Sequence, residues 1–98
     1  MIPDLVVRAA AATDIEDAHA WYERARPGLG EEFLAAVTAV LDRIEDNPAL
    51  YPVVHRDTRR ALLPRFPYAL FDRAEPDRIL VIACFHAKRE PLVWQSRR

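Results

Sequence analysis

Nine consecutive residues without a formal charge, Ile79 to Ala87, constrain this chain more than any other segment. A short apolar run of this length predicts a strand buried on both faces, the central strand of a sheet. It ends in His86, Lys88 and Arg89, so it delivers cationic, hydrogen-bonding side chains to one rim of that sheet. Such a rim suits a phosphate or carboxylate partner. Charge is distributed unevenly to match. Residues 1–50 carry four basic and ten acidic side chains, a net of −6, whereas residues 51–98 carry ten basic and five acidic ones, a net of +5. The overall balance of −1 therefore conceals an acidic first half and a basic second half.

With 98 residues, one domain is expected across positions 1–98, with no room for a second core. The uncharged runs Phe33–Leu41 and Ile79–Ala87 fall well short of the roughly 20 residues that a transmembrane helix needs. Pro3, Asp4 and Arg8 interrupt the apolar stretch a signal peptide would require. The expectation is a cytoplasmic protein with no membrane association. A single cysteine, Cys84, allows no internal disulfide, and its place in the apolar run predicts a buried, inert thiol.

The first half reads as helical. Residues 4–8 suggest a short strand. Alanines 9–12 lead into a helix ending near Ala25, with Thr13-x-x-Glu16 at capping-box spacing and an alternative start at the alanines themselves. Ile15, Ala18, Tyr22 and Ala25 form its expected buried stripe, and Trp21 is expected to cap the core. Both glycines fall in Pro27-Gly28-Leu29-Gly30, a tight reversal between helices. A second helix is expected from about Gly30 to Asp46, with Phe33, Val37, Val40 and Ile44 facing inward and Asn47-Pro48 ending it.

From Thr58 the pattern becomes extended. Strands are expected at Arg59–Phe66, with Pro64 at an edge or bulge, at Tyr68–Ala74 and at Ile79–Ala87, with Leu92–Trp94 as a short final one. Glu75-Pro76-Asp77-Arg78 is a turn. The order β-α-α-β-β-β defines an α+β fold, with a helical hairpin packed on one face of a mainly antiparallel sheet.

The residues that bear chemistry are mostly basic. Thirteen of the fourteen cationic residues are arginine, which favours planar, bidentate contacts. Arg59, Arg60 and Arg65 on one strand, with Lys88 and Arg89 ending another, are expected to converge on one rim as a surface for a partner, alongside Trp94 and Arg97. His86, Arg89 and Arg60 are the candidates for catalysis; His86 has the proton affinity of a general acid or base. His19, His55 and His86 show no metal-binding spacing, and no glycine-rich phosphate loop or nucleophile elbow is present. No metal or cofactor is expected.

Several motifs occur together in order: Ala18-x-x-Trp21-Tyr22, Pro27-Gly28-Leu29-Gly30, Glu32-Phe33, Ile44-x-x-Asn47-Pro48-x-x-Tyr51-Pro52, Arg60-x-x-Leu63-x-x-Phe66-Pro67-Tyr68 and His86-x-x-Arg89-x-Pro91-x-x-Trp94-x-x-Arg97. In this the chain resembles the RelE/ParE superfamily, the toxins of type II toxin–antitoxin modules, and most of all the ParE-like (plasmid stabilisation) branch. The resemblance runs from about residue 4 to Arg97. It implies a growth-arresting toxin, neutralised in a hetero-oligomer by an antitoxin whose C-terminal segment wraps it as a helix and extended strand. RelE-like relatives cut mRNA on the ribosome with basic side chains and a terminal tyrosine; ParE-like relatives inhibit DNA gyrase without chemistry of their own. Arg89 and, approximately, Arg60 match the nuclease pattern, but Ala69 stands where an arginine is expected after Tyr68, and no tyrosine follows Pro91. The departure points to a non-enzymatic gyrase inhibitor. The alternatives are an mRNA endoribonuclease and a degenerate toxin that only binds antitoxin.

Overall fold

Alanine has the highest intrinsic helix propensity, and the first helix takes advantage of it by starting at the alanine run. The computed structural model describes residues 4–88 and 94–97. In it β1 (Asp4–Val7) is followed by α1 (Ala9–Ala25), α2 (Leu29–Asp46), β2 (Val53–His55), β3 (Thr58–Leu62), β4 (Tyr68–Ala74) and β5 (Arg78–His86). Arg8 caps α1 in an extended conformation without a side-chain bond, and Thr13 lies inside the helix. The capping-box spacing is therefore not used. Gly28, at φ 90°, makes the reversal that admits α2 one residue later, and Glu31 and Glu32 place negative charge at that helix's positive end.

The sheet order is β1-β5-β4-β3-β2, with β1 parallel to β5 and every other pair antiparallel. The α+β architecture and element order match expectation, but the strand expected at the centre of the sheet is not there: β4 is the middle strand, and β5 lies between it and the short edge strand β1. Three details differ. Val53–His55 forms an extra edge strand on β3, too short for alternation to reveal. The strand expected over Arg59–Phe66 ends at Leu62, because Arg65 turns into the left-handed region (φ 68°) and Leu63 N–H bonds the Tyr68 carbonyl. Trp94 and Gln95 are helical rather than extended, while Leu92 and Val93 lie outside the described residues.

One β-bulge explains how β5 can be buried on both faces. Phe71 pairs with Ala83, yet Asp72 pairs with Val81, so Ile82 is an extra residue. Ile79, Val81 and Cys84 consequently face the helices, whereas Leu80, Ile82 and Ala83 face the other side. On the helical side, Phe33, Val37, Val40 and Ile44 of α2 and Ala11, Ala18 and Tyr22 of α1 complete the core. Ile15 packs at its margin, while Ala25 is exposed. The opposite side is smaller. Trp94 closes it by stacking on Phe71, with ring centroids 4.2 Å apart and planes 16° from parallel.

Candidate functional site

β1 covers only half of β5. Its register runs from Asp4 opposite Arg78 to Val7 opposite Val81 and then stops, where Arg8 N–H bonds the Val81 carbonyl. Beyond that point the edge of β5 from Ile82 to His86 has no strand beside it among the described residues. α1 and the C-terminal turn supply two partners instead. Asp14 Oδ2 accepts the Cys84 N–H at 3.0 Å, and the Arg97 guanidinium donates to the Ile82 carbonyl at 3.2 Å. The same two side chains form an ion pair at 2.6 Å, and Arg97 also lies over the Phe85 ring. A carboxylate and a guanidinium thus stand in for the missing strand.

A groove of about 640 Å³ opens along this edge. Asp14, Asp17, Ala18 and Trp21 of α1 form one wall; Tyr68, Cys84, His86 and Lys88 form the other. Trp21 is 57% exposed and meets Tyr22 edge-on at 5.0 Å, so it flanks the groove rather than capping the core. His86 sits edge-on to Tyr68, 5.8 Å between centroids, and its Nδ1 accepts the Lys88 N–H at 3.3 Å. A neutral ring in that arrangement carries its proton on Nε2. Burial, with Asp14 nearby, pushes the Cys84 thiol up to about 12, which leaves it unreactive. Burial, then the neighbouring Tyr68 and Cys84, raises the Tyr22 hydroxyl above its ordinary value.

The expected convergence of arginines does not occur. Neighbours in a strand point to opposite faces. Arg59 is paired in register with Asp72 on the helical side and donates to the Tyr51 carbonyl at 2.6 Å. Arg60 pairs with Phe71 on the opposite side, where its Nε is buried without a partner among the described residues. Arg65, in the β3–β4 loop, reaches Glu32 of α2 at 3.5 Å and lies over Phe66. Trp94 is 7% exposed, its face taken by Phe71, so it closes the sheet and does not belong to an exposed rim. Arg97 serves the ion pair just described. Of the expected rim, His86 and Lys88 stand together at the groove; Arg89 and Pro91 lie outside the described residues. Among the described residues, no group of three or more His, Cys, Asp or Glu is placed to hold a metal.

Three participants were not visible as site residues in the sequence. Asp14 has the pattern of a solvated helix residue, and only the fold brings it to β5. Glu23 has the same pattern, yet its carboxylate accepts the N–H groups of both glycines of the reversal, Gly28 at 3.0 Å and Gly30 at 3.0 Å. Those bonds, Gly28 first and Gly30 next, hold its pKa below the ordinary carboxylate value. Asp72 is 1% exposed, and neither of its carboxylate oxygens has a hydrogen-bond partner among the described residues. Desolvation raises it to about 6, with Arg59 opposing only in part, because the Arg59 guanidinium is committed to Tyr51.

The family model of the ParE toxin of type II toxin–antitoxin systems, parDE, matches residues 5–91. The chain belongs to the ParE toxin family. Among solved structures, it is similar to a chain of the chromosomal ParDE TA system from P. aeruginosa, at 18% identity and a TM-score of 0.67. That similarity covers 87% of this chain and 96% of the other, and it concerns the fold. No curated protein matches the sequence. No helix among the described residues is long and apolar enough to cross a membrane.

Proposed function

We propose that this ParE-family chain is a cytoplasmic toxin that arrests growth by binding DNA gyrase, that it has no catalytic chemistry of its own, and that a cognate antitoxin neutralises it in a hetero-oligomer. Family membership supports the toxin reading. The observation that carries the choice of target is the dispersal of the cationic side chains. RNA cleavage needs a base, an acid and stabilisers of phosphorane charge around one phosphate. Here Arg59 is tied to a backbone carbonyl on one side of the sheet, Arg60 lies on the other, and Arg65 pairs with α2. Ala69, fully buried, offers no charge at the position after Tyr68.

The test is inducible expression without antitoxin. Gyrase poisoning produces a DNA-damage response while translation continues. Codon-positioned mRNA cuts, lost on His86→Ala or Arg89→Ala, would replace this reading with ribosome-dependent endoribonuclease. Normal growth would mark a chain that only titrates antitoxin.

A further inference from the structure

The edge of the sheet formed by β2 is exposed and apolar. Ala49 to Val54 are six consecutive residues without charge, and five of them are exposed. Leu50 is 54% exposed and Val53 49%. Proteins commonly guard a free strand edge with charge, and β1, the other edge strand, presents an exposed Asp4. The apolar segment at β2 carries no such charge. Val53 also leaves backbone groups open. Arg60 N–H bonds the Pro52 carbonyl, which makes Val53 and Arg59 a non-hydrogen-bonded pair across β2 and β3. The Val53 N–H and carbonyl therefore point away from β3, and they meet no partner among the described residues. Pro52 has no N–H to give, but in this phase its nitrogen faces β3, and the outer edge needs no donor there.

We infer that the β2 edge is a self-association surface, on which a second copy of this chain pairs antiparallel about a two-fold axis at Val53. In that register the Val53 N–H of each copy donates to the Val53 carbonyl of the other. Pro52 of each copy lies opposite Val54 of the other, in non-hydrogen-bonded pairs whose side chains approach closely. Neighbours in a strand point to opposite faces, so the two Val53 side chains meet on one face and both Pro52–Val54 pairs on the other. The ends of the segment select the occupant. Glu45 and Asp46 are exposed at the end of α2, before the apolar run, and Arg56 is exposed after it, at φ 52°. None of the three has an ion-pair partner among the described residues. Antiparallel pairing carries Arg56 of each copy toward the acidic helix end of the other, so the same attraction acts twice. A register shift between Val53 and His55 ends the regular edge, which keeps the contact short and the dimer weak. This surface lies at the opposite edge of the sheet from the groove, and the inference is independent of the target proposed above.

Analytical ultracentrifugation of the full, antitoxin-free chain tests this directly. The wild type should pass from monomer to dimer at about 10–100 µM, as expected of a small interface. Val53→Lys and Val53→Asp each set like charges opposite one another at the axis, and each should weaken association at least about tenfold. Val53 is half exposed, so both variants should keep the fold, as checked by circular dichroism. Mixed in equal amounts, the two variants should form a dimer again, because the charges across the axis are then opposite in sign. A wild type that stays monomeric up to about 1 mM overturns the inference. Folded variants that associate like the wild type overturn it as well, and so does a mixture that stays monomeric while the wild type dimerises. If the wild type is monomeric and Val53→Lys instead weakens antitoxin binding, the edge belongs to the antitoxin and the inference fails.

Discussion

Replacing Asp72 with asparagine should change the stability of this protein relative to wild type in a pH-dependent way, increasingly in the variant's favour as pH rises. The carboxyl is 1% exposed and has no hydrogen bond among the described residues, and its pKa is raised from 3.8 to about 6. A gap of about two pH units opposes the ionised form by about 3 kcal/mol. The sign follows from linkage. Below pH 3.8 the carboxyl is protonated in both folded and unfolded chains and contributes no penalty. Between 3.8 and about 6 the unfolded chain ionises first, so wild-type stability falls as pH rises, and above about 6 the penalty is constant. The amide of the D72N variant cannot ionise. In urea titrations followed by circular dichroism, the stability difference between D72N and wild type should therefore swing by about 3 kcal/mol in favour of the variant from about pH 3 to about pH 8. The swing, not its absolute level, is the relevant quantity, because an amide left unbonded in the same site has its own pH-independent cost. A swing below about 0.5 kcal/mol would refute the claim that the desolvation of this carboxylate outweighs the attraction of Arg59.

Other perturbations test the helical reversal and the far side of the sheet. A Cβ at Gly30 would stand 2.8 Å from His19 Cδ2 and 2.9 Å from Glu23 Oε1, so Gly30→Ala should push the Glu23 carboxylate off the reversal and lower the thermal midpoint, at a cost of about 1 kcal/mol for the lost hydrogen bond. Glu23→Gln should lower the midpoint at neutral pH. Because the Glu23 pKa is depressed, its contribution is present above the ordinary carboxylate value and is lost as pH falls through the lowered one, so the difference between the two proteins should shrink steadily on acidification. Trp94→Ala removes the ring stacked on Phe71 and should cost about 3–5 kcal/mol in urea unfolding, with new binding of an apolar dye to the bared face.

Periodicity made the framework legible and left the contacts across it unseen. Phe33, Val37, Val40 and Ile44 announce the buried side of α2, and all four are in the core. The uncharged run announces β5 as a strand with two covered faces. Its bulge does not show, since Ile82 and Ala83 are as apolar as their neighbours, and burial on both faces removes the alternation that would reveal an extra residue. Ala25 continues the 3.6-residue pattern and so reads as buried, but α1 ends there and the residue is exposed. The arginines illustrate a different limit. Proximity in sequence suggests a common rim for Arg59 and Arg60, while the two-residue period of a strand separates them. That signal is present in the sequence. The roles of Asp14 and Arg97 are not, because their meeting depends on where β1 stops against β5, a feature of tertiary pairing that local pattern cannot carry.

This ParE-family chain is proposed to act on gyrase by association rather than by cutting RNA. The most direct measurement is supercoiling by the host gyrase in the presence of purified, antitoxin-free toxin. Supercoiling should fall with toxin concentration while cleaved gyrase–DNA complexes accumulate. Unimpaired supercoiling at saturating toxin would contradict it.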